Sequence, residues 1–124
     1  MRTLAICLCV SLGTAPPAFG FEDDPLRTFA ACAGRLSAVM EYQWMFDGAG
    51  SEKTQADRAA VLDLIAAVME PGQGRNVLQW RLEAKRAQSV LLTRATFNDD
   101  ENDAAWARAQ ALQYQQDCSG MLLG

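Results

Sequence analysis

The chain has 124 residues, no histidine, and 15 acidic against 11 basic side chains, for a net charge of −4. Without histidine there is no His-based zinc site, no haem attachment of the Cys-x-x-Cys-His kind and no His-dependent catalytic triad. The acidic balance argues against a general nucleic-acid or anionic-lipid surface, both of which need basic patches.

The first segment reads MRTLAICLCVSLGTAPPAFG. Arg2 supplies a short positive region. The apolar run Leu4 to Leu12 is too short to span a bilayer, which takes about 20 residues. Pro16 and Pro17 follow, and Ala18-Phe19-Gly20 offers small residues where a signal peptidase reads them. This pattern predicts a secretory signal peptide over 1–20 and a single domain over 21–124. No second apolar run is long enough to cross a membrane. Removing the leader takes one basic residue, Arg2, and no acidic one, so the net charge falls from −4 to −5. It also takes Cys7 and Cys9. The remaining pair, Cys32 and Cys118, then sits in an oxidising compartment, where an even count reads as one disulfide. The expected location is periplasmic or secreted.

Four helical segments follow in chain order. The first opens at Asp24-Pro25, a cap followed by proline in the first turn, and runs to about Phe46 before Asp47-Gly48. Phe29, Cys32, Ala33, Leu36, Met40 and Phe46 recur on it at helical spacing. The second is expected to begin near Ser51 or Thr54, where TQAD resembles a capping box with Asp in place of Glu. Val61, Leu62, Ile65, Val68 and Met69 form its apolar face, and Pro71-Gly72 ends it. The third spans about Arg75 to Phe97, with Val77, Trp80, Ala84, Ala87, Leu91 and Ala95 on one stripe. On that reading Trp80 is buried. The fourth is capped by Asp103 and runs to about Ser119, with Ala104, Ala107, Ala111, Tyr114 and Cys118 as its seam.

No alternating strand pattern and no internal repeat interrupts this reading. The short connections favour antiparallel neighbours. The expected fold is therefore all-α: an up-down-up-down four-helix bundle with one disulfide joining helix 1 to helix 4. That topology gives the echo between CAGRL (Cys32–Leu36) and CSGML (Cys118–Leu122) a structural meaning, as the two halves of a fastener. Gly120 is expected just past helix 4 in a left-handed cap, with Met121 and Leu122 folding back on the core.

Few constellations carry chemistry. PGQGR (Pro71–Arg75) lacks the Lys-Ser/Thr and the strand of a phosphate loop. NDDEND (Asn98–Asp103) lacks the ligand spacing, glycine and late Glu of a calcium loop. It reads as an acidic capping turn. No catalytic residue, metal site or cofactor is nominated. Helix 3 carries Arg75, Arg81, Lys85, Arg86 and Arg94 with Glu83 as its only acid. Those cations are expected to pair with acids such as Asp57, Asp63 or Glu70. The rival role is a docking strip for an acidic partner.

Two further features stand out. Trp44, Met45, Phe46, Phe97 and Trp106 all fall at the end of the bundle away from the disulfide. The simpler expectation is an apolar plug; the sharper one is a surface for a partner or an apolar ligand. Trp106 is expected to be accessible, because Gln110 and Gln113 share its side of helix 4. Ala31, Gly34 and Ala38 form a small-residue stripe. It is either a tolerant solvent face or a place where a second backbone comes close. Together these features suggest an exported, non-enzymatic protein that binds another envelope or secreted protein, with a small apolar-ligand carrier as the alternative. Oligomeric state is not legible.

Overall fold

In a computed structural model, residues 24–123 are described; the leader expected over 1–20 lies outside them. Four helices make up the described chain: α1 (Pro25–Phe46), α2 (Gly48–Val68), α3 (Gly74–Thr96) and α4 (Glu101–Gly120), followed by a 3-10 turn, Met121–Leu123. No strand occurs among the described residues.

The caps explain most boundaries. Asp24 accepts a hydrogen bond from the Leu26 amide (3.1 Å) ahead of Pro25 in the first turn of α1. Asp47 does two jobs. Its amide closes α1 on the Gln43 carbonyl, while its carboxylate accepts from the Gly50 amide and opens α2. A one-residue joint therefore replaces the expected gap, and α2 begins at Gly48 rather than Ser51 or Thr54. Thr54 is instead buried within the helix, its hydroxyl turned to the Gly50 carbonyl, so TQAD is not a capping box. Gly72, at φ 91°, makes the turn before α3, a backbone conformation that suits glycine. α4 is capped by Asp100, which accepts from the amides of Asn102 and Asp103, and not by Asp103 as expected. Gly120 lies inside α4 without a left-handed φ, and the chain tightens directly into the 3-10 turn. Met121 and Leu122 do pack back on the core.

α1 is the organising helix. α2 and α3 both pack along it, α4 packs on α3 and more lightly on α1, and α2 makes no substantial contact with α3. The core gathers Leu26, Ala30, Ala33 and Leu36 of α1, Val61 and Ile65 of α2 and Val77 of α3 around the disulfide. Several seam residues lie outside it. Phe46, Val68, Met69 and Ala87 are exposed, Tyr114 is at the edge, and Trp80 is half-buried beneath the Arg27 guanidinium.

Cys32 and Cys118 are bonded, with Cα atoms 5.4 Å apart, joining α1 to α4 across 86 positions of sequence. In the chain-entropy model a loop of that length is worth about 4 kcal/mol. Helical stability here comes mainly from packed apolar faces. The Cys32→Ala, Cys118→Ala double variant should therefore keep its far-ultraviolet helical signal at room temperature and melt roughly 10–25 °C lower. Loss of helicity at 25 °C, or an unchanged melting point, would contradict that division of labour.

Candidate protein-interaction surfaces

The end of α1 and the end of α3 meet through Tyr42 and Thr96, whose hydroxyls lie 2.9 Å apart. Thr96 commits its proton to the Leu92 carbonyl, so Tyr42 is the donor between them. Phe46 tilts against the Tyr42 ring at 4.8 Å. The first turn of α4 is tied to the same end by Arg94, which binds both carboxylate oxygens of Asp103 (2.5 and 3.2 Å), while Asn98 donates to Asp103 at 2.6 Å. The Arg94 hydrogen bond, helped by Asn98, holds the Asp103 carboxyl below its usual range. Its contribution to stability is accordingly present above the ordinary Asp range and fades as pH falls through the depressed value.

This end is not a plug. Trp44, Met45, Phe46, Phe97 and Trp106 are 59, 67, 55, 71 and 53 % exposed. The reason lies in the next element. α2 turns back after a single residue and begins Gly48-Ala49-Gly50-Ser51, which has almost no side chain to lay over α1. α4 begins with Glu101 and Asn102, equally unsuited to covering an apolar ring. Trp106 is accessible as expected, with Arg94 above its ring at 5.2 Å.

A second surface is the cleft left where α2 and α3 diverge over α1. Gly34, Ser37, Met40 and Glu41 of α1 form its floor. Arg58 of α2 forms one wall, and Leu78, Arg81, Leu82 and Lys85 of α3 form the other. The Arg58 Nε donates to the Ser37 hydroxyl (2.7 Å), which itself donates to the Ala33 carbonyl (2.8 Å). Lys85 pairs with Glu41 at 2.6 Å. Burial, and then the neighbouring Arg58 charge, push the Arg81 guanidinium below its ordinary value. Of the α3 cations, Lys85 thus pairs with Glu41 and Arg94 with Asp103, and none pairs with Asp57, Asp63 or Glu70. Asp57 is instead held by Lys53 and Ser119.

The small-residue stripe lies against α3. Gly34 and Ala38 are buried and Ala31 half-buried. A Cβ built on Gly34 would collide with the Arg81 carbonyl oxygen and stand 2.9 Å from its carbon and 3.0 Å from the Lys85 nitrogen. On the other side of the α1–α3 pair, Gln88 is fully buried, a residue the stripe reading missed. Its amide donates to the Ala111 carbonyl at 2.9 Å and accepts from Arg35 at 3.3 Å, while Arg35 stacks on Tyr114 at 3.7 Å. Among the described residues, no group of three or more acids or cysteines is placed to hold a metal ion. No known family model, curated protein or solved structure matches the chain. The functional reading therefore rests on these surfaces.

Proposed function

We propose that this is an exported, non-enzymatic helical protein that acts by binding another envelope or secreted protein through the aromatic end of its bundle. The observation that carries the reading is the exposure of five large apolar side chains, each more than half accessible, at one end of the fold. Side chains of this kind are costly to leave in water and are typical anchors of protein contacts. The disulfide supports export, since such bonds persist in oxidising compartments. An up-down-up-down arrangement fits the residue pairings Ser37–Arg58, Arg35–Gln88 and Gln88–Ala111. The clefts beside the helices open to solvent, which suits a docking surface better than a chamber for an apolar ligand.

Trp106 is the residue to remove. Because it is 53 % exposed, Trp106→Ala should cost little stability, on the order of 1 kcal/mol or less. The same change should abolish most stoichiometric capture of the partner from envelope extracts by the disulfide-bonded protein. Melting curves and quantified pull-downs check the two halves. A loss of about 3–5 kcal/mol, as for emptying a buried aromatic site, would show that Trp106 holds the fold together. Dodecanoate-dependent protection of Trp106 fluorescence with no change in partner capture would favour the carrier.

A further inference from the structure

The cleft between α2 and α3 carries more positive charge than an acidic protein needs there. Arg58, Arg81 and Lys85 line it against one acid, Glu41, which Lys85 already engages at 2.6 Å. Among the described residues no carboxylate lies within ion-pair distance of Arg58 or Arg81. Arg58 spends only its Nε, on the Ser37 hydroxyl. Its two terminal nitrogens and the whole Arg81 fork have no acceptor among the described residues. Guanidinium forks of this kind match a carboxylate in a bidentate geometry. The two arginines also repel one another, which raises the cost of keeping the site empty.

The chemistry next to the charges indicates how large the occupant is. Leu78 and Leu82, one helical turn apart, are 53 and 55 % exposed and stand between this cleft and a second, shallower one. The second cleft is bordered by Arg75 and Arg86, which also lack an ion pair among the described residues, and by one acid, Glu83, which accepts from Gln79 at 2.9 Å. The face therefore presents an apolar ridge with cations on both sides. From Arg75 to Arg86 it extends about 16 Å along the helix. A small anion would satisfy the arginines and leave the leucines wet. An amphipathic helix with leucine-like residues on one face and acids flanking them would satisfy both. It would occupy the space that α2 and α3 leave open over α1.

We propose that this face of α3 is a docking site for an acidic amphipathic helix of a partner protein, with one of its carboxylates seated between Arg58 and Arg81. The site is separate from the aromatic end, which gathers around the last turns of α3.

The test uses the disulfide-bonded chain and a fluorescein-labelled designed helix of about 18 residues, with leucines on one face and glutamates beside them. A lysine-for-glutamate version serves as control. The acidic peptide should bind with an affinity that falls steeply with added salt, and the lysine version should not bind. Arg58→Gln and Arg81→Gln should each weaken binding about tenfold. Trp106→Ala should leave it unchanged. Arg81→Glu should lose the acidic peptide and gain the lysine one, a swap that misfolding cannot produce. Melting curves on each variant keep folding apart from binding, and Arg81→Gln should melt no lower than the parent. Three results would overturn the proposal: no acidic-peptide binding up to about 1 mM, equal binding by the arginine variants, or equal binding of both peptides. So would inorganic phosphate raising the melting point of the parent but not of Arg81→Gln while the peptide fails to bind, since the site would then take small anions alone.

Discussion

Gly34→Ala should destabilise the protein by about 1–2 kcal/mol net, although alanine is the better helix former. Two effects oppose one another. In an open helix interior the change gains about 1 kcal/mol of helix propensity. Here the added methyl meets the Arg81 carbonyl group and the Lys85 amide nitrogen, all of them backbone atoms. Backbone inside a 23-residue helix cannot rotate aside as a side-chain tip can. The α1 and α3 axes must move apart, loosening the contacts of Ala38 and Leu36 together. Overpacking of this sort costs about 1–3 kcal/mol, occasionally more, and the upper part of that range applies when backbone must yield. Gly34→Val should be worse again. Urea unfolding of the disulfide-bonded protein gives the sign directly. A stabilised Gly34→Ala variant would mean that α1 and α3 do not approach this closely.

That glycine shows what the sequence made legible and where it stopped. Spacing alone placed Ala31, Gly34 and Ala38 on one face and raised a closely approaching backbone as one of two roles. Nothing local could say that the neighbour was α3 of the same chain. The helices themselves, and the pairing of Cys32 with Cys118, followed from caps, turn residues and cysteine count. Boundaries failed where one residue served two helices, as Asp47 does, or where two acids three residues apart competed for the cap, as Asp100 and Asp103 do. Phe46 continues a periodic stripe, yet it is not core. It is exposed because the chain that follows it is too small to cover it. Periodicity reports which residues share a face, and only the size of the facing residues decides whether that face is buried.

Gln88 shares the helical face of Ala84, Leu91 and Ala95, but its polarity keeps it off an apolar stripe, and its removal should be the costliest polar change in the molecule. The apolar stripe through Ala84, Ala87 and Leu91 omits the glutamine, yet Ala87 is exposed and Gln88 is not. What makes the interior acceptable to an amide is contributed by two other helices: the Ala111 carbonyl of α4 and the Arg35 guanidinium of α1. Gln88→Ala removes a fully buried side chain and one bond to each neighbour. The lost packing and the unpaired groups together should cost about 2–4 kcal/mol. Gln88→Leu separates the two contributions. It restores most of the volume but still leaves Arg35, already pushed below its ordinary value by burial, without that acceptor. If the polar contact matters more than the space, Gln88→Leu should lose nearly as much as Gln88→Ala. The Arg35→Met, Gln88→Leu double variant should then lose less than the sum of its parts, because no buried charge is left unmatched. Equilibrium unfolding of the four proteins forms the cycle. Simple additivity would show that Arg35 and Gln88 act separately.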